Sequence, residues 1–414
     1  MKIPDISKAI KQAVNNNFTH QLRLLKDLVK TDSTNPFTPD TSDPKAPIEK
    51  AVSDRLYLEL KSLGFSPKRI GVTTARPNLT CTWGSPRYRK SLIFNGHMDT
   101  VPLPESSTAK TLLPVVKNNR LYGRGSLDMK ASLSAYVFAL KAIKDSRLPL
   151  SGKLILEFVV DEEPGACSQL GTRHLISQGI TAKAAIIAEP GNKVGIGHRG
   201  GYRFKLTTLG ESVHTGDTKW QKKEVGHNAV SDMAKVIAVL DQLDIPYKPS
   251  RLFPGKKPVF TFPTLIKGGT AINIVPEQCI AYGDVRLMPG NSDKQVRLLI
   301  EEKLAHVNNL RYSLENLLYA PAVELDDKEE IVNTVKNTFA TIQGKTPLVQ
   351  GIGPWNDAWM LWHLGGIPTI TQVPLEGGNA HAANEWVSLK SLIDLTVVLA
   401  ITAIRYLGAN DDFS

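Results

Sequence analysis

Three apolar runs in this chain, SLIFNG, KLILEFVV and AAIIA, stop at His97, Asp161 and Glu189, each a side chain able to bind a metal ion. Short continuous apolar runs bounded by polar residues read as strands buried on both faces, the pattern of a parallel sheet covered by helices. PNLTCTWG adds another strand, and helical spacing marks residues 17–31, residues 48–64 with Gly64 as C-terminal cap, and ASLSAYVFALKAIKDS. This alternation predicts an α/β fold, with a mostly parallel sheet and helices on both faces. In such sheets the strand carboxyl ends frame a crevice, so residues far apart in sequence are expected to meet there.

Near Gly195 the rhythm changes. GYRFKLTTLG alternates as a strand with one buried face, and GHNAVSDMAKVIAVLDQLD carries Ala229, Met233, Val236, Ile237 and Leu240 on one helical stripe. CIAYGDVRLMPG and SDKQVRLLIEEKLAHV repeat the strand and helix, after which EEIVNTVKNTFATIQG, WNDAWMLWHLG, IPTITQV and a helix at 389–406 restore the first rhythm. The expectation is a discontinuous main domain, residues 1–197 and 318–414, interrupted at 198–317 by a small α+β domain with an antiparallel sheet.

A net charge of +10 raises nucleic acid as a partner, but lysines and arginines occur in ones and twos along every segment rather than in a patch. Dispersed charge of this kind suits solvated helix faces and a mild attraction for anionic small molecules. Cys81, Cys167 and Cys279 are widely spaced with no C-x-x-C pair, which fits a reducing compartment. MKIPDISKAIKQAVNNN lacks the apolar core of a secretory signal, and LTVVLAITAI falls short of the ~20 residues of a membrane span. A cytoplasmic location, with neither nucleic acid nor membrane as partner, is expected.

In GHMDTVP, Asp99 is placed to fix the tautomer of His97 as a metal ligand, although the pair also suits a strand end with a capped turn. Asp128, in GRGSLDMK before a helix, fits either an N-cap or a carboxylate bridging two cations. Glu162 and Glu163 follow an apolar strand in DEEPG, where crowded carboxylates repel unless a cation compensates them. Adjacent side chains at a strand end diverge, so one can ligate while the other reaches a bound water; a solvated acidic turn is the other reading. Glu189 in AEP is bland alone, and His381 lies in GGNAHAANEW, a loop of small residues that lets backbone approach closely. Together two histidines and three carboxylates suit two borderline cations about 3.5–4 Å apart with one carboxylate shared. That ratio disfavours structural zinc, which prefers cysteine, and magnesium, which prefers oxygen alone. No G-x-S-x-G elbow, Walker loop or G-x-G-x-x-G turn competes.

The ordered set GHMDTVP, LYGRGSLDMK, DEEPGA, AEP, HRGGYRF, ESVHTG, GHNAV, INIVP and NAHAANEWV resembles, over nearly the whole chain, the co-catalytic zinc hydrolase family of acetylornithine deacetylase, succinyl-diaminopimelate desuccinylase, aminoacylase and glutamate carboxypeptidase. The resemblance implies that His97 and Glu189 bind one metal, Glu163 and His381 the other, and Asp128 bridges them. Glu162 would be the general base and Asp99 would hold His97. The domain at 198–317 resembles the family's lid and dimerisation domain, where His214 would reach a neighbouring subunit's site to polarise the scissile carbonyl, and Asn273 and Arg286 would hold a substrate carboxylate. A cis peptide after Asp128 is implied as well. Three departures bear on the substrate. Glu189, rather than Asp, resembles the deacylase and carboxypeptidase branches; Trp359 stands where desuccinylases carry Arg; and the segment between Pro102 and Leu121 lacks the Trp and the Pro-Phe pair common in relatives.

These readings imply a homodimeric metal-dependent amidohydrolase that cleaves the amide bond of N-acyl amino acids. Its cofactors would be two divalent metal ions, zinc by default, with cobalt or manganese accepting the same ligands. The alternatives are a metallocarboxypeptidase on small peptide-like substrates and a catalytically silent, metal-bound binding protein.

Overall fold

The computed structural model describes residues 3–36, 45–84, 90–102, 113–148, 150–163 and 169–408. Cys167 and residues 103–112 of the segment following Pro102 lie outside the described residues. Two compact units are present: Met1–His198, Glu324–Ile352 and Asn356–Ser414 form the first, and Arg199–Val323 with Gly353–Trp355 the second. A boundary at residue 317 would cut the strand Tyr312–Ala320, which belongs wholly to the second unit.

The first unit is built on a six-stranded sheet in the spatial order Lys68–Ile70, Asn78–Gly84, Lys153–Val159, Ser91–His97, Ala184–Ile187 and Thr369–Ile370. Its last four strands run parallel, whereas the first two are antiparallel to their neighbours. Ser91–His97 pairs on both edges and is buried along its whole length, which is why it reads as a continuous apolar run rather than an alternating one. The helices Ile3–Lys30, Lys130–Asp145 and Leu389–Leu407 pack on one another, and the last two also lie against the sheet. The first helix starts well before residue 17. Ile6, Ile10, Ala13 and Val14 extend its buried stripe, and Asn15 and Asn16 interrupt the hydropathy only on the exposed side.

An antiparallel four-stranded sheet forms the second unit, in the order Val259–Gly268, Gln278–Leu287, Gly200–Leu209, Tyr312–Ala320. Tyr202, Phe204 and Phe262 stack at centroid distances of 5.6 and 5.5 Å, in a core completed by Met233, Val236, Val296 and Ile300 from the helices Ala229–Leu240 and Asp293–Leu304. Asn228 and Ser292 cap these helices through their side-chain oxygens. The two outer strands escape the sequence pattern because Val259–Gly268 is mostly exposed and contains Pro263, and Tyr312–Ala320 buries its residues irregularly. Among the described residues no helix is long and apolar enough to cross a membrane.

Candidate metal centre

Strand register gathers the first ligands. His97 ends its strand opposite Val159, so the turn carrying Glu162 and Glu163 starts level with it, while Glu189 follows the neighbouring strand Ala184–Ile187. Asp99 organises both sides of this junction. His97 Nδ1 lies 3.0 Å from the backbone carbonyl of Asp99 and 3.5 Å from its carboxylate, so the main chain is the nearer partner of the ring. The Asp99 carboxylate accepts the N–H groups of Glu162 (3.3 Å) and Glu163 (3.0 Å) and the amide of Asn35 (2.8 Å). Beneath the turn, Asp161 has a left-handed φ of 67° and is held by the buried Arg76, 3.2 Å away, which also pairs with Glu49. Glu49 in turn accepts the N–H of Asp161 at 3.0 Å.

Asp128 does not cap the following helix. The residue at that cap is Met129, with no side-chain cap hydrogen bond, and the Asp128–Met129 peptide is cis. The Asp128 carboxylate instead faces two imidazoles, Oδ1 lying 3.1 Å from His97 Nε2 and Oδ2 3.0 Å from His381 Nε2. Gly125, at φ 75°, makes the turn before it; a Cβ there would sit 2.7 Å from Thr100. Glu385, which the sequence reading passed over, clasps this turn with its carboxylate through Arg124, Gly125, Leu127 and Asp128. The signal was available as an acid four residues beyond His381 in an otherwise small, polar loop. His381 itself adopts φ 61°, a conformation rare for a side chain of its size and a mark of a residue held for its direction.

Two three-residue groups result, His97 with Asp128 and Glu189, and Asp128 with Glu163 and His381. Glu189 lies 3.5 Å from His97 Nε2 and Glu163 3.5 Å from His381 Nε2. The donor set fits a cation: with Nδ1–H directed at the Asp99 carbonyl, His97 Nε2 is a lone pair facing two carboxylate oxygens. Acceptors converge without a donor between them, and mixed imidazole and carboxylate ligands suit zinc-like ions. Protonation is the alternative compensation, and the groups show that pressure. Burial and the charge of Asp128 push Glu189 up to about 7, while hydrogen bonds to Asp128 and Glu163 raise His381 to about 11. Burial, with Asp357, Glu163 and Glu189, raises Glu162 well above the usual carboxylate range.

In the second unit, Gly216 N–H donates to His214 Nδ1 at 3.1 Å, and His214 Nε2 lies 3.3 Å from the side-chain nitrogen of Asn273. Arg286 pairs with Asp284 at 2.8 Å. Trp359 is buried in the first unit, and its indole N–H has no hydrogen-bond partner among the described residues. A groove of about 860 Å³, lined by Leu127, Pro190, Asn379 and Ala380 among others, borders the metal-ligand positions but contains none of the five ligands.

The model of peptidase family M20/M25/M40 matches residues 93–405. The chain is 28% identical over 375 residues to an N-formyl-4-amino-5-aminomethyl-2-methylpyrimidine deformylase from Bacillus subtilis, covering 82% of this chain and 85% of that protein. It is 25% identical over 374 residues to a succinyl-diaminopimelate desuccinylase from Dinoroseobacter shibae, covering 85% of this chain and 93% of that one. Its fold is similar to that of a di-peptidase from Saccharomyces cerevisiae, with a TM-score of 0.75, 14% identity and coverage of 98% and 99%.

Proposed function

We propose that this chain, which belongs to the M20/M25/M40 peptidase family and is a metal-dependent amide hydrolase, removes the acyl group from N-acyl amino acids. The observation that carries this reading is the pair of ligand groups sharing Asp128, with Glu162 beside them and in neither. Two divalent cations in these groups, zinc by ligand type, would lower the pKa of water and polarise the scissile carbonyl. Glu162 takes the proton from the attacking water and passes it to the departing amine. A carboxylate in reach of the water suits that double role, since it must first accept and then release the same proton. His214 donates to the carbonyl oxygen as negative charge gathers there, and Asn273 and Arg286 receive the substrate carboxylate.

A homodimer through the second unit is part of this reading. Val259–Gly268 stands at the edge of its sheet with Leu265 54% and Ile266 53% exposed, a surface suited to pairing with a second copy. Cys81 and Cys279 are free and buried, which supports a reducing, cytoplasmic setting.

The deformylase relative supports a second reading, hydrolysis of a formamide on an aminomethylpyrimidine. Zinc-, cobalt- and manganese-loaded protein assayed on N-acetyl and N-succinyl amino acids, dipeptides and the formylated aminomethylpyrimidine separates the two. Release of free amino acid from the N-acyl series is expected. Formate release from the pyrimidine alone would replace that assignment, cleavage of dipeptides alone would favour a carboxypeptidase, and bound metal without any turnover would leave a binding protein.

A further inference from the structure

Trp355 is the aromatic residue of the GPWND loop that belongs to the second unit, and two guanidinium groups lie near its indole. Arg203 and Arg286 stand 5.1 and 5.0 Å from its ring centroid, within cation–π range. Gly201 makes the space: a Cβ at that position would lie 1.0 Å from the indole. Gly201 faces Arg286 across the antiparallel pair of strands, and Arg203 faces Asp284, so all four positions share one patch of the sheet. Asp284 ties both arginines through their Nε atoms, at 3.2 Å to Arg203 and 2.8 Å to Arg286.

This leaves Arg286 in a particular state. Its guanidinium carbon lies over the indole and Nε is bound, while its two terminal amino groups have no hydrogen-bond partner among the described residues. A guanidinium held by the ring contact and by its Nε presents a planar two-donor edge, the geometry that matches a carboxylate.

We infer that Trp355 is a positioning residue that, through the space left by Gly201, fixes the Arg286 guanidinium edge for a carboxylate and so sets a preference for anionic over neutral substrates. The inference rests on the reading of Arg286 as the substrate-carboxylate site. Other loop residues with small side chains would leave the guanidinium free to swing.

The test measures binding of N-acetyl-L-methionine and of its C-terminal amide by titration calorimetry, on metal-loaded protein carrying Glu162→Gln so that neither ligand is consumed. The acid is expected to bind at least about tenfold more tightly than the amide in this background. Trp355→Leu and Gly201→Ala should each cut that ratio about tenfold, and Trp355→Phe should retain most of it. Melting curves identify any variant that has failed to fold, and Gly201→Ala and Trp355→Leu act on the two sides of the same contact. Equal affinity for acid and amide in the background protein, undetectable binding of both included, overturns the inference. So does an unchanged ratio in the folded Trp355 variants, or an equal loss for both ligands. Acid-selective, Trp355-dependent binding in a protein whose unmutated form hydrolyses no N-acyl amino acid would uphold the inference and remove the deacylase assignment.

Discussion

Glu385 holds the backbone of Asp128. Its carboxylate accepts the Asp128 N–H at 3.0 Å, the Leu127 N–H at 2.8 Å, the Gly125 N–H at 3.0 Å and the Arg124 guanidinium at 2.8 Å, so each oxygen serves two donors. In Glu385→Gln one of those oxygens becomes an NH₂ group that must face two donors. Asp128 would then lose its fixed aim, although none of the five ligands has changed. Metal affinity measured by chelator competition should fall about 10- to 100-fold, the usual cost of losing an outer-shell partner. Unchanged affinity would mean that the clasp is only a packing feature.

The sharing of Asp128 makes metal stoichiometry diagnostic. Asp128 contributes an oxygen to each group, whereas Glu189 and Glu163 each serve one. Elemental analysis after dialysis should therefore show both ions lost from Asp128→Ala and one retained in Glu189→Ala or Glu163→Ala. Retention of two ions in Asp128→Ala would rule out a bridging carboxylate.

The site was legible in sequence where chemistry and strand ends coincide. His97, Glu162, Glu163 and Glu189 close or follow apolar runs, and a parallel sheet aligns such ends whatever lies between them. Asp128 was ambiguous, because an Asp before a helix is an ordinary cap; only the absence of that cap bond and the facing imidazoles decide its direction. Glu385 stayed hidden because its partners are backbone N–H groups about 260 positions away, which no spacing rule reports. In the second unit the edge strand Val259–Gly268 gave no alternation because neither face is consistently buried. The Trp355 and Gly201 contact was equally silent, being a match of shape between distant residues.

Behind His97 a second acidic cluster should mark the pH dependence of stability. Asn95 donates to Glu157 at 2.9 Å and to Thr172 at 3.0 Å, and the Thr172 hydroxyl donates to Asp357. Burial, opposed by the Asn95 bond and reinforced by the charge of Asp357, pushes Glu157 up to about 7. Below about pH 4.5 this group is protonated folded or unfolded. Between there and about pH 7 only the folded chain keeps the proton, so stability is lost as pH rises, by at most about 3 kcal/mol. Glu157→Gln should remove this component, gaining stability relative to the parent at pH 8 more than at pH 5 in urea unfolding of metal-loaded protein. Glu49, also raised to about 7 by burial, keeps a slope in the parent, so the difference between the two proteins is the quantity to read. A variant equally affected at both pH values would show that Glu157 is ionised in the folded protein.

Glu162 offers the sharpest separation of binding from chemistry. It belongs to neither ligand group, yet burial and the neighbouring acids Asp357, Glu163 and Glu189 hold its pKa well up. Glu162→Gln keeps the shape of the side chain and removes its capacity to accept a proton. Two ions per chain should remain by elemental analysis, and kcat on the best substrate should fall by about 10²- to 10⁴-fold with little change in KM. Loss of metal together with activity would make Glu162 a ligand rather than a base. Substantial residual turnover with both ions in place would move the proton transfer to another group.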